Sequence, residues 1–179
     1  MTSYAVFLRG INVGGINIKM AELKKALAKL PLSDVATLLA SGNVVCRAKA
    51  NATKVKGLVE TCLRDQFGYD AWVVVLTGAR VGELVEACPY PAESVQHHAY
   101  VTLSSDEATL DELFTIGSSL SDTELARLGP EALAWQAPVG RTLDTPFSKL
   151  SSKAKYKSTT TTRNLRTLIK VRDAALKEA

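Results

Sequence analysis

The order of the predicted strands and helices indicates an α+β protein built from two ferredoxin-like lobes, each a plait of the split βαβ kind. Three observations predict this class. Short β-branched runs alternate with segments whose apolar residues recur at helical spacing. Residues 4–77 follow the order β-α-β-β-α-β, and a rigid proline-rich connector divides the chain. A chain of 179 residues that is 46% hydrophobic can bury such a core as one domain or as two small lobes.

The first lobe contains the clearest helical period of the chain, from Val55 to Phe67. Gly68 ends this helix, and Asn51 or Thr53 can cap its first turn. The elements predicted for residues 1–88 are strands over 4–11, 35–40, 44–47 and 71–77 and helices over 20–30, 55–67 and 81–88.

The second lobe, predicted over residues 92–179, begins after Pro89-Tyr90-Pro91, a rigid and extended connector. It partly repeats the order β-α-β-β-α, which suggests a duplicated fold, although no residue-level repeat accompanies the order. The predicted elements are strands over 99–103, 123–128 and 132–136, with a hairpin at Gly129-Pro130, and helices around 110–114 and over 147–153 and 163–178.

The last helix is predicted to begin at Arg163, with Thr161 or Thr162 as its cap. Arg163, Arg166 and Lys170 recur on one face of this basic helix at i, i+3 and i+7. From residue 147 onward, nine Lys or Arg stand against two acids, whereas residues 1–146 hold thirteen against sixteen. The net charge of +4 therefore belongs to the C-terminal segment. An anion-facing surface gives this count, and so does a solvated helix face.

Several classes of protein are disfavoured by the composition. Cys46, Cys62 and Cys88 are an odd number at wide spacing, which disfavours a disulfide framework and a zinc cluster. His97 and His98 are adjacent and would point to opposite faces of a strand, so we expect no metal site. No apolar run approaches the roughly 20 residues of a membrane span. The N-terminus lacks the pattern of a signal peptide, so we expect a cytoplasmic protein without membrane contact.

The segment 8–15, LRGINVGG, breaks a strand into an Arg and a glycine-punctuated turn ahead of a helix. It matches neither nucleotide fingerprint, so no cofactor is expected. Gly14 and Gly15 can expose backbone N–H groups to an anion near the positive end of the helix that begins at Met20, or they can simply turn the chain with Asn12. Arg9 can bind phosphate or carboxylate, or pair with an acid of the other lobe.

Four segments carry a resemblance to a known family: LRGINVGG at 8–15, SGNVV at 41–45, SKL at 148–150, and TTRN at 161–164 followed by LRTLIKV. On these motifs the sequence resembles a bacterial family known as domain of unknown function 1697, over essentially its full length. The resemblance implies a two-lobed α+β fold with plait-like sheets. The family usually has Trp where this chain has Leu165 and an aromatic residue at Cys46, which weakens any role of these positions in stacking a base.

The remaining candidates are polar residues at turns and helix starts. Ser41 and Asn43 suit a tight hairpin and can also present a hydroxyl and an amide to a cleft. Arg163 is predicted in a helix's first turn, where a cation opposes the helix dipole and therefore suggests anion binding or an ion pair between lobes. The candidate ligand-binding residues are Arg9, Asn12, Gly14, Gly15, Ser41, Asn43, Arg163, Asn164, Arg166 and Lys170.

Three functions fit these residues. The preferred hypothesis is a protein that binds an anionic partner, either nucleic acid or a phosphorylated small molecule, in a cleft between the lobes. A protein-interaction module, in which the paired motifs hold the lobes together, is one alternative. An enzyme acting on a phosphate- or carboxylate-bearing substrate is the other, although Ser41 has no evident His partner and no acid, base or nucleophile is recognisable. The oligomeric state is left open.

Overall fold

The computed structural model describes residues 1–9, 16–70 and 72–177. The chain forms two units: unit 1 is Met1–Gly82 with Ile169–Ala179, and unit 2 is Glu83–Leu168. The predicted lobe limits assign residues 169–179 to the second lobe, whereas the structure groups them with the first. Among the described residues, no helix has the length and apolar character needed to cross a membrane.

Unit 1 contains a four-stranded sheet in the order β2-β3-β1-β4 with every neighbouring pair antiparallel. This is the strand order of the split βαβ plait, so the predicted fold of the first lobe is confirmed. The elements are β1 (Thr2–Phe7), α1 (Met20–Leu27), β2 (Ser33–Leu38), β3 (Asn43–Ala48), α2 (Ala52–Phe67), β4 (Val74–Thr77) and α3 (Gly78–Ala87).

The core of unit 1 is mainly aliphatic and lies between the sheet and helices α1 and α2. Val6 and Leu8 face this side of the sheet and share one buried cluster with Leu27 of α1 and Leu63 of α2. Helix α2 has the predicted ends, because Asn51 Oδ1 accepts a hydrogen bond from Lys54 N at 2.9 Å and Gly68 closes the helix at a φ of 59°. Local sequence signals therefore define this helix completely.

Unit 2 repeats the topology with the strand order β6-β7-β5-β8, again antiparallel throughout. The two sheets thus have the same connectivity, and the prediction of two ferredoxin-like lobes is confirmed. From residue 97 onward the elements are β5 (His97–Ser104), α4 (Glu107–Ser118), β6 (Leu125–Gly129), β7 (Ala132–Pro138), a 3₁₀ turn (Thr142–Asp144), α5 (Pro146–Ser151), α6 (Ala154–Lys157), β8 (Thr160–Asn164) and α7 (Leu165–Leu176), of which residues 169–176 belong to unit 1.

The core of unit 2 contains stacked aromatic rings and buried polar groups. Trp135 stacks on Tyr100 with ring centroids 4.8 Å apart and meets Phe147 edge-on at 5.3 Å. Trp135 Nε1 donates to Thr102 Oγ1 at 3.0 Å, and Thr102 Oγ1 lies 2.8 Å from Thr162 Oγ1. These contacts give each buried polar atom a partner, as a buried hydroxyl or indole nitrogen requires.

The start of the last helix differs from the prediction. Residues Thr160–Asn164 form strand β8, and α7 begins only at Leu165. The threonine run at 159–162 is β-branched and suits an extended strand, which pairs with β5 from Tyr100 to Ser104. The predicted caps Thr161 and Thr162 are therefore wrong: Asn164 Oδ1 accepts from Arg166 N at 2.9 Å and caps the helix instead.

Candidate functional site

The end of β1 and the β2–β3 hairpin meet at one edge of the unit 1 sheet. Phe7 lies opposite Asn43 in the strand register, and Leu8 N donates to Gly42 O at 2.8 Å. The structure thus brings Arg9 beside the SGN turn, which is distant from it along the chain. We call Arg9, residues 41–43 and the first turn of α1 the strand-end site.

The first turn of α1 belongs to this edge because of the sheet topology. β1 and β2 both pair antiparallel with β3, so they run parallel to each other. The connecting helix therefore runs back from the end of β1 to the start of β2. Lys19 occupies the N-cap position of α1 and makes no side-chain capping bond. The N–H groups of this turn consequently lack a side-chain acceptor at Lys19.

The hairpin itself is held by Asn43. Its Nδ2 donates to Leu38 O at 2.9 Å and to Ser41 Oγ at 3.0 Å, and the residue is fully buried. Leu39 and Gly42 have left-handed backbones, with φ of 59° and 79°. The side-chain amide of Asn43 therefore closes the turn, while Ser41 is exposed on it.

Arg9 is the least satisfied polar residue of this edge. Its Nε is buried and has no hydrogen-bond partner within the part of the chain that the structure describes. Leaving a buried donor unpaired costs about 1–3 kcal/mol, and more when the group is charged. By contrast, the guanidinium of Arg47 in the same unit donates to Lys177 O at 2.9 Å and lies 3.6 Å from Asp34 Oδ2. Arg9 therefore differs from Arg47 in having a buried Nε that no described residue satisfies.

Three predicted ligand-binding residues of the glycine segment, Asn12, Gly14 and Gly15, lie outside the described residues. Their contribution to the strand-end site remains a prediction.

The second motif has a different setting from the predicted one. Arg163 lies on β8 opposite Val101, is only 7% exposed, and donates from Nη1 to Thr161 Oγ1 at 2.6 Å and to Thr162 O at 3.0 Å. The predicted basic face with Arg163, Arg166 and Lys170 on one helix is therefore wrong, because Arg163 is in a strand. Of these three residues, only Arg166 and Lys170 lie on α7.

Of the other predicted residues in this segment, Arg166 contacts residues of unit 2, and Lys170 is exposed to solvent. Arg166 Nε donates to Ala92 O at 3.0 Å and lies 3.3 Å from Glu93 Oε1. Lys170 is exposed, on the part of α7 that belongs to unit 1. The structure thus groups Arg9 with Ser41 and Asn43, and Asn164 with Arg166. A cleft shared by both groups stays a prediction.

Both sheets have central strands that are buried on their two faces. In β1, Val6 and Phe7 point to opposite sides and are each fully buried, and the same holds for Val101 and Thr102 in β5. Plait-like RNA-binding domains stack bases on aromatic residues of an open sheet face. These buried residues of β1 and β5 do not form such an open face.

Sequence reasoning missed Trp72, which it counted within an apolar strand. Its side chain is 49% exposed, and Lys56 Nζ lies 5.2 Å from the ring centroid. Val74 at the start of β4 pairs with Phe7, so Trp72 lies beyond the same end of the sheet as Arg9. An aromatic residue that immediately precedes a β-branched strand was the available signal.

The described residues offer little for nucleophilic or metal chemistry. They contain no cluster of three or more His, Cys, Asp or Glu side chains that could hold a metal ion. Both histidines are on β5 in unit 2. The three cysteines are free, and burial raises the pKa of the Cys46 thiol to about 11. This thiol is therefore protonated and behaves as a small apolar group.

The repeated plait defines a two-unit α+β protein, and the buried Nε of Arg9, which has no acceptor among the described residues, marks its candidate site. More specifically, the chain belongs to the family described as protein of unknown function DUF1697, whose profile matches residues 1–133. No curated protein matches the chain. Among solved structures, the conserved bacterial protein SP0830 from Streptococcus pneumoniae has a similar fold. The TM-score is 0.80 at 23% identity, covering 97% of this chain and 98% of that one.

Proposed function

We propose that the protein binds a phosphorylated small molecule at the strand-end site of unit 1. The observation that carries this proposal is the buried Nε of Arg9, which has no hydrogen-bond acceptor among the described residues. Arg binds phosphate through paired N–H groups in a fixed geometry, so an incoming phosphate would satisfy the donor that folding leaves unpaired.

The start of α1 supports the same ligand chemistry. Its first turn has no side-chain cap at Lys19, and the helix dipole places partial positive charge there.

A small ligand fits these observations better than nucleic acid does. Both faces of the central strands are buried, which removes the stacking surface of plait-like RNA-binding domains. Several C-terminal cations are also engaged within the protein. Arg163 is buried in β8, Arg166 lies beside Glu93, and Lys155 pairs with Glu112. The number of Lys and Arg residues in this segment is therefore larger than the number of positive charges available to a polyanion.

Calorimetric titration with inorganic phosphate and with a single-stranded RNA oligonucleotide tests the proposal. We expect saturable phosphate binding that Arg9→Gln weakens about tenfold or more, since a charged hydrogen bond contributes about 1.5–3 kcal/mol. Arg64→Gln is the matched control, because Arg64 is exposed and lies 3.5 Å from the exposed Asp70.

The salt dependence of binding distinguishes a phosphorylated small molecule from nucleic acid as the partner. Tight RNA binding that falls steeply with added salt would transfer the proposal to nucleic acid. Phosphate binding that is unchanged in Arg9→Gln would overturn it.

A protein-interaction function is the second candidate, and the exposed apolar side chains of this edge favour it. Leu39 on the hairpin and Trp72 before β4 are 48% and 49% exposed. Exposed aromatic and aliphatic side chains at one edge are common at protein contacts. Copurification of a partner that Leu39→Ser and Trp72→Ser abolish, with phosphate binding absent, would select this alternative. The cytoplasm is the proposed location, in keeping with three free thiols.

A further inference from the structure

A groove of about 760 Å³ lies between the end of α1 and the length of α2, wholly within unit 1. It is separate from the residues of the strand-end site. Ala26 and Leu30 line one side and Leu58 and Cys62 the other. Small-molecule pockets typically have volumes of roughly 300–1,000 Å³ and mostly apolar linings, so the groove has the size and the character of a ligand site.

Gly57, which also lines the groove, is a glycine that the fold does not require. It lies in the middle of α2, where glycine is destabilising relative to alanine. A Cβ at this position would meet no atom within 4 Å, and its φ is not in the left-handed region. Neither close contact within the chain nor backbone conformation therefore explains the residue. Its effect is to leave the α2 backbone open toward the groove.

The charged side chains of the groove differ from those elsewhere on α2. Lys56 pairs with Glu60, and Arg64 lies 3.5 Å from Asp70. In the groove, Lys29, Lys54 and Asp65 form no ion pair with any residue in the described ranges. Their charges are thus available to a molecule that enters from solvent.

The positive charge of Lys54 and the negative charge of Asp65 lie toward opposite ends of α2. Lys54 is in the first turn of α2, which carries no acidic residue and has the positive end of the helix dipole. Asp65 is near the opposite end of the helix, where it would repel an anion. The thiol of Cys62 lies between them: burial, and then Asp65, raise its pKa, while Lys29 lowers it. The thiol thus stays protonated and part of the apolar floor.

We propose that the α1–α2 groove binds a small organic acid with an apolar body, its anionic group at Lys54 and Lys29 and its apolar part along Leu30, Gly57 and Leu58. The volume and the unpaired lysines favour this ligand over a neutral lipid or a basic peptide. Arg9 and the strand-end site take no part in this binding.

Decanoate is a suitable probe, with decanol as its neutral counterpart, and amide chemical shifts in NMR spectra locate the binding. We expect saturable decanoate shifts at millimolar concentration in α2 and the end of α1. Gly57→Leu fills the groove and should weaken binding about tenfold, whereas Gly57→Ala, with only a Cβ, should weaken it less. Leucine is a good helix former, so neither variant threatens the fold.

The lysines test the charge of the ligand. The double variant Lys29→Gln with Lys54→Gln should weaken decanoate binding about threefold to tenfold and leave decanol binding unchanged, since exposed ion pairs are individually weak. Lys24→Gln, on the same helix as the groove's α1 side but outside its lining, is the matched control. Arg9→Gln should leave decanoate binding intact, which separates this proposal from the phosphate site.

Three results would overturn the proposal. The first is an absence of decanoate shifts in α2. The second is equal binding of decanoate and decanol that the lysine variants do not affect. The third is concentration-dependent self-association, measured by sedimentation, that Gly57→Leu abolishes, because a second copy of the chain would then be the occupant.

Discussion

The first strand–helix connection of unit 1 and that of unit 2 occupy the same place in the same topology but are built differently. In unit 2, only Ser105 and Asp106 separate β5 from α4. Asp106 caps the helix by accepting from Ala108 N at 3.2 Å and Thr109 N at 3.3 Å. In unit 1, residues 8–19 make the connection, and the N-cap Lys19 makes no capping bond.

The two connections differ in how the polar groups beside them are satisfied. In unit 2 the connection satisfies its own helix, and buried donors such as Trp135 Nε1 have acceptors. In unit 1 the corresponding connection leaves Arg9 Nε buried without an acceptor among the residues that the structure describes. The proposed ligand site thus lies in the copy of the fold in which a described arginine has a buried donor without an acceptor.

The variant that should have the strongest effect on stability tests the aromatic core of unit 2. Trp135→Ala removes the stack on Tyr100 and the indole hydrogen bond to Thr102, and should destabilise the protein by about 3–5 kcal/mol. Urea unfolding followed by circular dichroism measures the change. Trp135→Phe keeps most of the ring area and should lose less. A loss below about 1 kcal/mol for the alanine variant would show that this core is not what stabilises unit 2.

A pair of arginine variants tests whether Arg9 stabilises the fold of unit 1 or serves a ligand. Arg47→Met removes bonds to Lys177 O and the contact with Asp34, and should cost about 1–3 kcal/mol. Arg9→Met removes a buried donor that has no acceptor among the described residues, so stability should be unchanged or higher while phosphate binding is lost. Thermal unfolding with and without phosphate distinguishes them. A large destabilisation by Arg9→Met would assign Arg9 to the fold.

Variants at the two helix N-caps test directly how the connections of unit 1 and unit 2 differ. Asp106→Ala should destabilise unit 2, since it removes both capping bonds. Lys19→Asp supplies α1 with the missing cap and should stabilise unit 1 by about 0.5–1 kcal/mol. The same change should weaken phosphate binding, because it places a carboxylate at the strand-end site. Calorimetry reads both effects, and phosphate binding unaffected by Lys19→Asp would remove α1 from the site.

The smallest expected effect concerns the polar contact between α4 and α6. Lys155 and the Tyr156 hydroxyl, whose oxygen is 2.7 Å from Glu112 Oε1, lower the pKa of Glu112 below its usual 4.5. A lowered carboxyl pKa stabilises the fold above the unfolded value, and this stabilisation disappears as pH falls through the folded value. Tyr156→Phe should therefore move the pKa of Glu112 upward, as measured by NMR titration. An unchanged pKa would assign the shift to Lys155 alone.

Local sequence signals were sufficient to predict several elements of the fold. The order of strands and helices in residues 2–87, the Ser41-Gly42-Asn43 turn and both ends of α2 follow from periodicity, glycine conformation and capping chemistry. Each of these signals acts over a few neighbouring residues. The resemblance to the DUF1697 family also followed from short motifs, and the family match confirms it.

The surroundings of Arg163 and Arg9 depend on strand pairing between segments that are far apart along the chain. The segment at Arg163 has threonines that suit either a cap or a strand, and pairing with β5, distant along the chain, selected the strand. Arg9 came to lie beside Gly42 because β1 pairs with β3, and its unpaired Nε is visible only once its neighbours are in place. Strand pairing and burial depend on residues far apart along the chain, and local preferences carry no information about which of them will meet.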